Sequence, residues 1–308
     1  MISYSLKRLL QTVIVLIGIT LIVFLLLNVV PGDPVSLMLE KRTDPETIAR
    51  VRQELGLDVP LPTQYLNFLK GIFRLDFGQS YFSHEDVFTV LTRSFAITIK
   101  LAALSFVFAV LLGICCGVIA AVNRGRWLDS FIMTFSMAGI SAPVFWVAII
   151  LQLIFGLRLN LLPLSGYETA AHFLLPSIAL GTRYAGSIAR ITRTSMLDVI
   201  KQDYIRTAWA KGAAKPRVII KHALKNALVP IVTMIGAQLG SMLAGSMLVE
   251  TIFSLPGIGY LAVDSMSKRD LPLIQGTVVY IAAVFVLINL LVDLSYALID
   301  PRIRYGKG

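Results

Sequence analysis

Charge is scarce in this sequence: Asp, Glu, Lys and Arg make up 15% of its 308 residues, against about 25% in average soluble domains. Hydrophobic residues reach 56%. A soluble globule of that composition has too few polar groups to cover its surface, which excludes an ordinary cytosolic enzyme. A chain this apolar is not disordered either. Cysteine is scarcer still. Only Cys115 and Cys116 occur, adjacent and inside an apolar run. Such neighbours make neither a disulfide framework nor a metal site, and they read as packing residues. Catalytic signatures are missing too. There is no GxxxxGK[ST] loop to cradle phosphates, no HExxH and no GxSxG. The three histidines, His84, His172 and His222, are scattered among expected loops.

What abounds is uninterrupted hydrophobic sequence. A membrane-crossing helix takes about 20 mostly apolar residues. Leu9–Val30, Leu101–Val122, Ser130–Leu157, Asn226–Val249 and Leu271–Val292 each supply such a run without one charge. A sixth, weaker run from Phe173 to Met196 contains Arg183 and Arg190. Five spans would leave the chain ends on opposite sides; six return them to one side. Lys7 and Arg8 precede the first run as in a signal peptide. The run outlasts the roughly 7–15 residues of a signal core and no A-x-A site follows, so it reads as an uncleaved anchor.

Lys and Arg set orientation. With six spans and the N-terminus inside, 17 of the 28 basic residues fall in inner segments and 11 in outer ones, while the acids split 5 and 13. The formal net charge of +10 is thereby explained by topology, without a nucleic-acid partner. The outer segment from residue 31 to 94 is long. Apolar spacing predicts helices over Asp44–Leu57 and Thr63–Phe73 lying against the outer face. Its aromatic residues, Tyr65, Phe68, Phe73, Phe77, Tyr81 and Phe82, argue against a floppy loop.

Small residues recur at helical spacing: Gly113, Gly117 and Ala121 in the second run, Gly236, Gly240 and Ala244 in the fifth. Such stripes allow close helix approach, within a bundle or at an oligomer interface. Ionisable groups inside the runs are few. Arg183 either lines a water-filled path and meets an anionic substrate group, or pairs with helix-end carbonyls or a carboxylate such as Asp293. The shortage of intramembrane carboxylates also weighs against an ion-driven carrier, and no nucleophile–base pair supports an intramembrane hydrolase.

The inner segment 198–225 reads as a short helix held between two long ones. Asp203 is expected to cap a helix beginning at Tyr204, Gly212 to end it in a left-handed conformation, and Pro216 to open the next helix. Ala208, Ala210 and Gly212 leave room for another surface. The alternative is a solvated basic loop.

This segment resembles the EAA loop of inner-membrane permeases of ATP-binding-cassette (ABC) importers. The chain as a whole is similar to the first permease of dipeptide, oligopeptide and nickel uptake systems. The resemblance covers almost all of it. It rests on Pro31-Gly-Asp-Pro34, Leu55-Gly-Leu-Asp58 with Pro60, Asp76-Phe-Gly-Gln-Ser80, Arg190-Ile-Thr-Arg193, Asp203-Tyr-Ile-Arg-Thr-Ala-Trp-Ala-Lys-Gly212, His222 to Pro230, Glu250 to Gly259, and Asn289 to Tyr305. Three departures stand out. Arg206-Thr207-Ala208 replaces Glu-Ala-Ala, Leu224-Lys225 with a later Pro230 replaces the Leu-Pro that follows the glycine, and Trp209 stands where the branch often has Arg.

The resemblance implies an all-α, polytopic membrane protein of six transmembrane helices with the type I importer-permease (MetI-like) fold. Residues 1–30 would form the N-terminus and first span, 31–94 an extracellular helical insertion, and 95–308 the core. The coupling loop would comprise Asp203, Tyr204, Arg206, Thr207, Ala208, Trp209, Ala210, Lys211 and Gly212. The implied partners are a homologous second permease, two ATPase subunits, an extracellular substrate-binding protein and the lipid bilayer. The chain itself would bind no cofactor and catalyse nothing; ATP and Mg would sit in the ATPases. The implied place is a bacterial or archaeal inner membrane with both termini cytoplasmic. Peptides are the implied substrates, with nickel chelates or glutathione as alternatives.

Overall fold

The computed structural model describes residues 2–29, 45–54, 58–244 and 246–299. The Pro31–Pro34 piece, Leu55–Leu57, and the tail beyond 299 lie outside the described residues. In chain order the helices are α1 (Ile2–Val29), α2 (Pro45–Glu54), α3 (Leu61–Arg74), α4 (Val87–Val122), α5 (Trp127–Ser141), α6 (Val144–Leu151), α7 (Ala171–Ile200), α8 (Asp203–Ala210), α9 (Lys225–Ala244), α10 (Ser246–Ile252), α11 (Ile258–Lys268) and α12 (Leu271–Ile299). Wider π-type turns extend α6 over Gln152–Arg158 and lead into α9 over Arg217–Leu224. Among the described residues there is no strand, only a single bridge between Gln79 and Asp86.

Local chemistry explains the boundaries. Asp86 caps α4: its carboxylate accepts from the Thr89 N–H at 2.8 Å and the Thr89 hydroxyl at 2.7 Å. That cap lies well ahead of the apolar run, so α4 reaches 36 residues, about 54 Å of helix against roughly 30 Å of bilayer hydrocarbon. The third run is not one helix. Pro143 has no N–H to give and forces Ala142 into extended backbone (ψ 132°). The chain turns there by 108° between α5 and the α6 segment, so the expected continuous span is a broken one.

Val87–Val122, Arg217–Leu243 and Leu271–Leu290 are each long and apolar enough to cross a membrane, and the broken pair makes a fourth if taken as one span. In α1 the described apolar stretch, Leu10–Leu26, is shorter. α7, which carries Arg183, Arg190 and Arg193, is not among them.

The chain forms two compact units, 1–97 with 256–308, and 98–255; the boundary falls within α4. In the first, Val87, Val90, Leu91, Ile258 and Leu273 form a buried cluster with Phe77, Phe95 and Tyr280 packed against it. α1 packs along α12. α3 docks on α1 through Phe24, whose ring centroid is 5.3 Å from Tyr65 and 6.2 Å from Phe68. The segment after α3 is tied down by buried Asp270, which accepts from the Ser80 hydroxyl at 2.5 Å and the Tyr81 N–H at 3.3 Å. Burial, with that carboxylate beside it, pushes the Tyr81 phenol up to about 12.

In the second unit α7 is the central helix. α5, α6, α9 and α10 pack on it, and 14 of its residues are buried. α4 meets it with no gap. A Cβ on Gly113 would lie 2.6 Å from the Ile188 Cβ, and one on Gly117 2.5 Å from the Thr192 Cβ. The first small-residue stripe is therefore a bundle contact within the chain. Cys115, expected to pack, is exposed on the same helix, and Cys116 is half-buried.

Candidate coupling and pathway site

α8 carries every residue expected in the coupling loop except Lys211 and Gly212, which close it. Its start differs from expectation. Gln202 is the N-cap and makes no side-chain capping bond, while Asp203 is the first helical residue. The carboxylate still faces the positive end of the helix and lies 3.6 Å from the Arg206 guanidinium, in full solvent. The Thr207 hydroxyl donates to the Asp203 carbonyl at 3.0 Å.

The end matches expectation. Gly212 has φ +74°. Its N–H donates to the Trp209 carbonyl at 2.9 Å, and the Ala213 N–H to the Ala208 carbonyl at 3.2 Å. This pair of bonds is a Schellman cap, which satisfies the last carbonyls and stops the helix sharply. Pro216 opens the next helical segment with φ −59°, as expected. That segment, Arg217–Leu224, packs against α8, so His222 sits in a helix rather than a loop. Ile205 is the one fully buried residue of α8. Tyr204, Arg206, Thr207, Trp209, Ala210 and Lys211 are exposed and Ala208 is half-buried. The element is thus a short rod, anchored through one apolar side chain and joined at both ends to longer helices, with most of its surface free.

Upstream, the half of α7 that leads into α8 is tied by an ion pair that local sequence did not announce. Arg193 donates to both oxygens of Asp129, at 2.6 and 2.7 Å. The Gly125 N–H adds a third bond at 3.0 Å. Asp129 stands just ahead of the apolar run that begins at Ser130. It is buried, and its carboxylate is held by the Arg193 guanidinium through two hydrogen bonds. The partners are 64 residues apart, and the only hint is that Asp129 is one of few acids among inner basic residues. A second unannounced contact joins Thr98 to buried Glu250 at 2.7 Å.

Arg183 stands apart from α8. Between it and Ile200 α7 rises about 26 Å, so the two candidate regions are linked by the helix and do not touch. Arg183 is exposed and makes no hydrogen bond or ion pair among the described residues. The side chain of Asp293, its expected alternative partner, lies outside the described residues.

Long apolar helices, with a capped and exposed short helix between two of the longer ones, are the features of a membrane transport subunit. The chain belongs to the family of binding-protein-dependent transport system inner membrane components, the permeases of bacterial ABC importers. The family model matches residues 113–305, and the model of the family's N-terminal part matches residues 1–102. Over 305 residues the chain is 44% identical to the glutathione transport system permease protein GsiC of Salmonella typhimurium LT2 and to that of Pectobacterium atrosepticum. It is 43% identical to that of Escherichia coli K12. Each match spans 99% of this chain and 100% of the relative.

Among solved structures, the MetNI methionine ABC transporter in an inward facing conformation aligns with a TM-score of 0.55 at 18% identity, covering 68% of this chain and 96% of that one. An amino acid ABC transporter aligns at 0.53 and 17% identity, over 70% and 94%. These likenesses carry the type I permease fold. The family works with a substrate-binding protein and with ATPase partners.

Proposed function

We propose that the chain forms half of the translocation path of an ATP-driven importer of short peptides, with glutathione among its substrates. A homologous second permease supplies the other half, and each permease receives one of two ATPase subunits on its coupling helix. An extracellular binding protein delivers the ligand to the outer segment 31–94. Six spans put both termini in the cytoplasm, and Arg183 faces the path. ATP and Mg bind in the ATPases, whose closure pushes α8; α7 carries the push to the bundle. Alternating access is then a switch between two helix packings.

The observation that carries this reading is α8 itself. A conduit without a nucleotide loop must be moved mechanically, and force needs a stiff element fixed at both ends. The Schellman cap at Gly212 and the buried Ile205 meet that need. The relatives' glutathione transport name, at 44% identity over the full chain, supports a small peptide as cargo.

The test is reconstitution with the partner subunits in vesicles. ATP-dependent uptake of glutathione or of di- and tripeptides is expected, with none when the ATPases are omitted. Cysteines replacing Thr207 or Lys211 should cross-link to an ATPase subunit with an efficiency that changes with nucleotide. Uptake driven by an ion gradient alone, or no cross-link anywhere in α8, would overturn the reading.

A further inference from the structure

From Arg183 onward α7 is closed around most of its circumference, and its exposed residues lie along one line. At about 100° per residue, Arg183, Ser187, Arg190 and Thr194 fall in a sector roughly 60° wide. Arg183, Arg190 and Thr194 are exposed and Ser187 is partly so. The other sides are covered. Gly181, Ala185, Ile188, Thr192 and Met196 are buried, and Arg193, turned away from the sector, is neutralised by Asp129. The same sector is covered further back at Pro176, and its two edges at Ala179 and Leu180. The open face therefore begins abruptly at Arg183 and continues to the end of α7 that leads into α8.

Its chemistry is one-sided. The two arginines are separated by seven residues, about 10 Å of helix rise. Neither has a carboxylate partner among the described residues. Asp198, at the far end of the line, lies about 12 Å beyond Arg190 by helix rise. Two unpartnered guanidiniums facing lipid tails would be costly, so this face meets water or an anion. A guanidinium presents a planar pair of donors that matches a carboxylate, and Ser187 adds a hydroxyl between the two, while the Thr194 hydroxyl donates to the Arg190 carbonyl at 3.1 Å.

We propose that this face is an anion-binding track of the path, on which Arg183 and Arg190 hold the carboxylates of a peptide in transit. The inference rests on the peptide-import reading above and adds the residues and the chemical group they recognise.

The test uses the assembled transporter, with Cys115 and Cys116 replaced by serine and Ser187→Cys added. Thiol-directed reagents of equal size and opposite charge then probe the face from the α8 side. The anionic reagent should react about tenfold faster than the cationic one, and Arg183→Gln with Arg190→Gln should abolish that preference. On the original background the same pair should lower uptake of a Glu-Glu dipeptide by about tenfold, with partial retention when both arginines become lysine. Equal rates for the two reagents overturn the track. So does a Ser187→Cys thiol that reacts only when the second permease is absent, because the face is then a subunit contact. Unchanged dipeptide uptake by the glutamine pair also overturns it. A wild-type transporter that imports no peptide would sink the peptide reading alone, since the reagent preference is read without any peptide.

Discussion

At the scale of single residues, contact distance and charge decide what each position tolerates. Gly117 is the tightest point between α4 and α7: an added Cβ would meet the Thr192 Cβ at 2.5 Å and the Ala189 carbonyl at 2.6 Å. A backbone oxygen cannot step aside as a side-chain end can. Gly117→Ala should therefore cost about 1–3 kcal/mol and lower the thermal midpoint of the detergent-purified protein, although alanine is the better helix former. Asp129 acts through charge. Its carboxylate takes two hydrogen bonds from the Arg193 guanidinium. Asp129→Asn leaves Arg193 without its charged partner, and a loss on the order of 3 kcal/mol in the stability of the detergent-purified protein is expected. A variant whose thermal midpoint stays at the wild-type value would show that the pair contributes little.

Elements are decided by their ends. α8 is short enough that its caps are most of its specification. The C-terminal one rests on Gly212 at φ +74°, with open space around the position of a Cβ. Bulk is therefore not the objection to a substitution; the backbone conformation is, and it costs a side-chain-bearing residue about 1 kcal/mol or more, most for a β-branched one. Gly212→Val should insert in the membrane and bind the external receptor normally, yet lose most ATP-driven uptake. Gly212→Asn, which tolerates the left-handed region better, should retain more. Normal transport by the valine variant would remove the coupling role from this turn. The break between α5 and α6 follows the same logic, since Pro143 and its effect on Ala142 are sequence-local, and hydropathy averaging hid them inside one apolar run. α2 and α3 were legible from Pro45, Pro60 and Pro62 with apolar spacing, and α3 docks on α1 through aromatic rings.

At the scale of the whole molecule, the proposed six spans with cytoplasmic ends are supported by the division of Lys and Arg that such a topology produces. Reporter fusions at Asn123 and after Arg304 should read cytoplasmic, and one near Glu54 external; an external reading after Arg304 would remove the even count. The sequence alone determined the apolar runs, the charge asymmetry, the helices α2 and α3 and the C-cap of α8. Each is written in neighbouring residues, through a period of 3.6, a proline or a glycine, so no distant contact is needed to read it. Tertiary structure decided what no local rule encodes. It matched Gly113 and Gly117 to α7, joined Asp129 to Arg193 and Ser80 to Asp270, and left one line of α7 uncovered from Arg183 onward. The reason is physical. A helix fixes which residues share a face, but not which partner covers that face, because inside a membrane apolar surfaces are nearly interchangeable and close packing and polar pairing select among them.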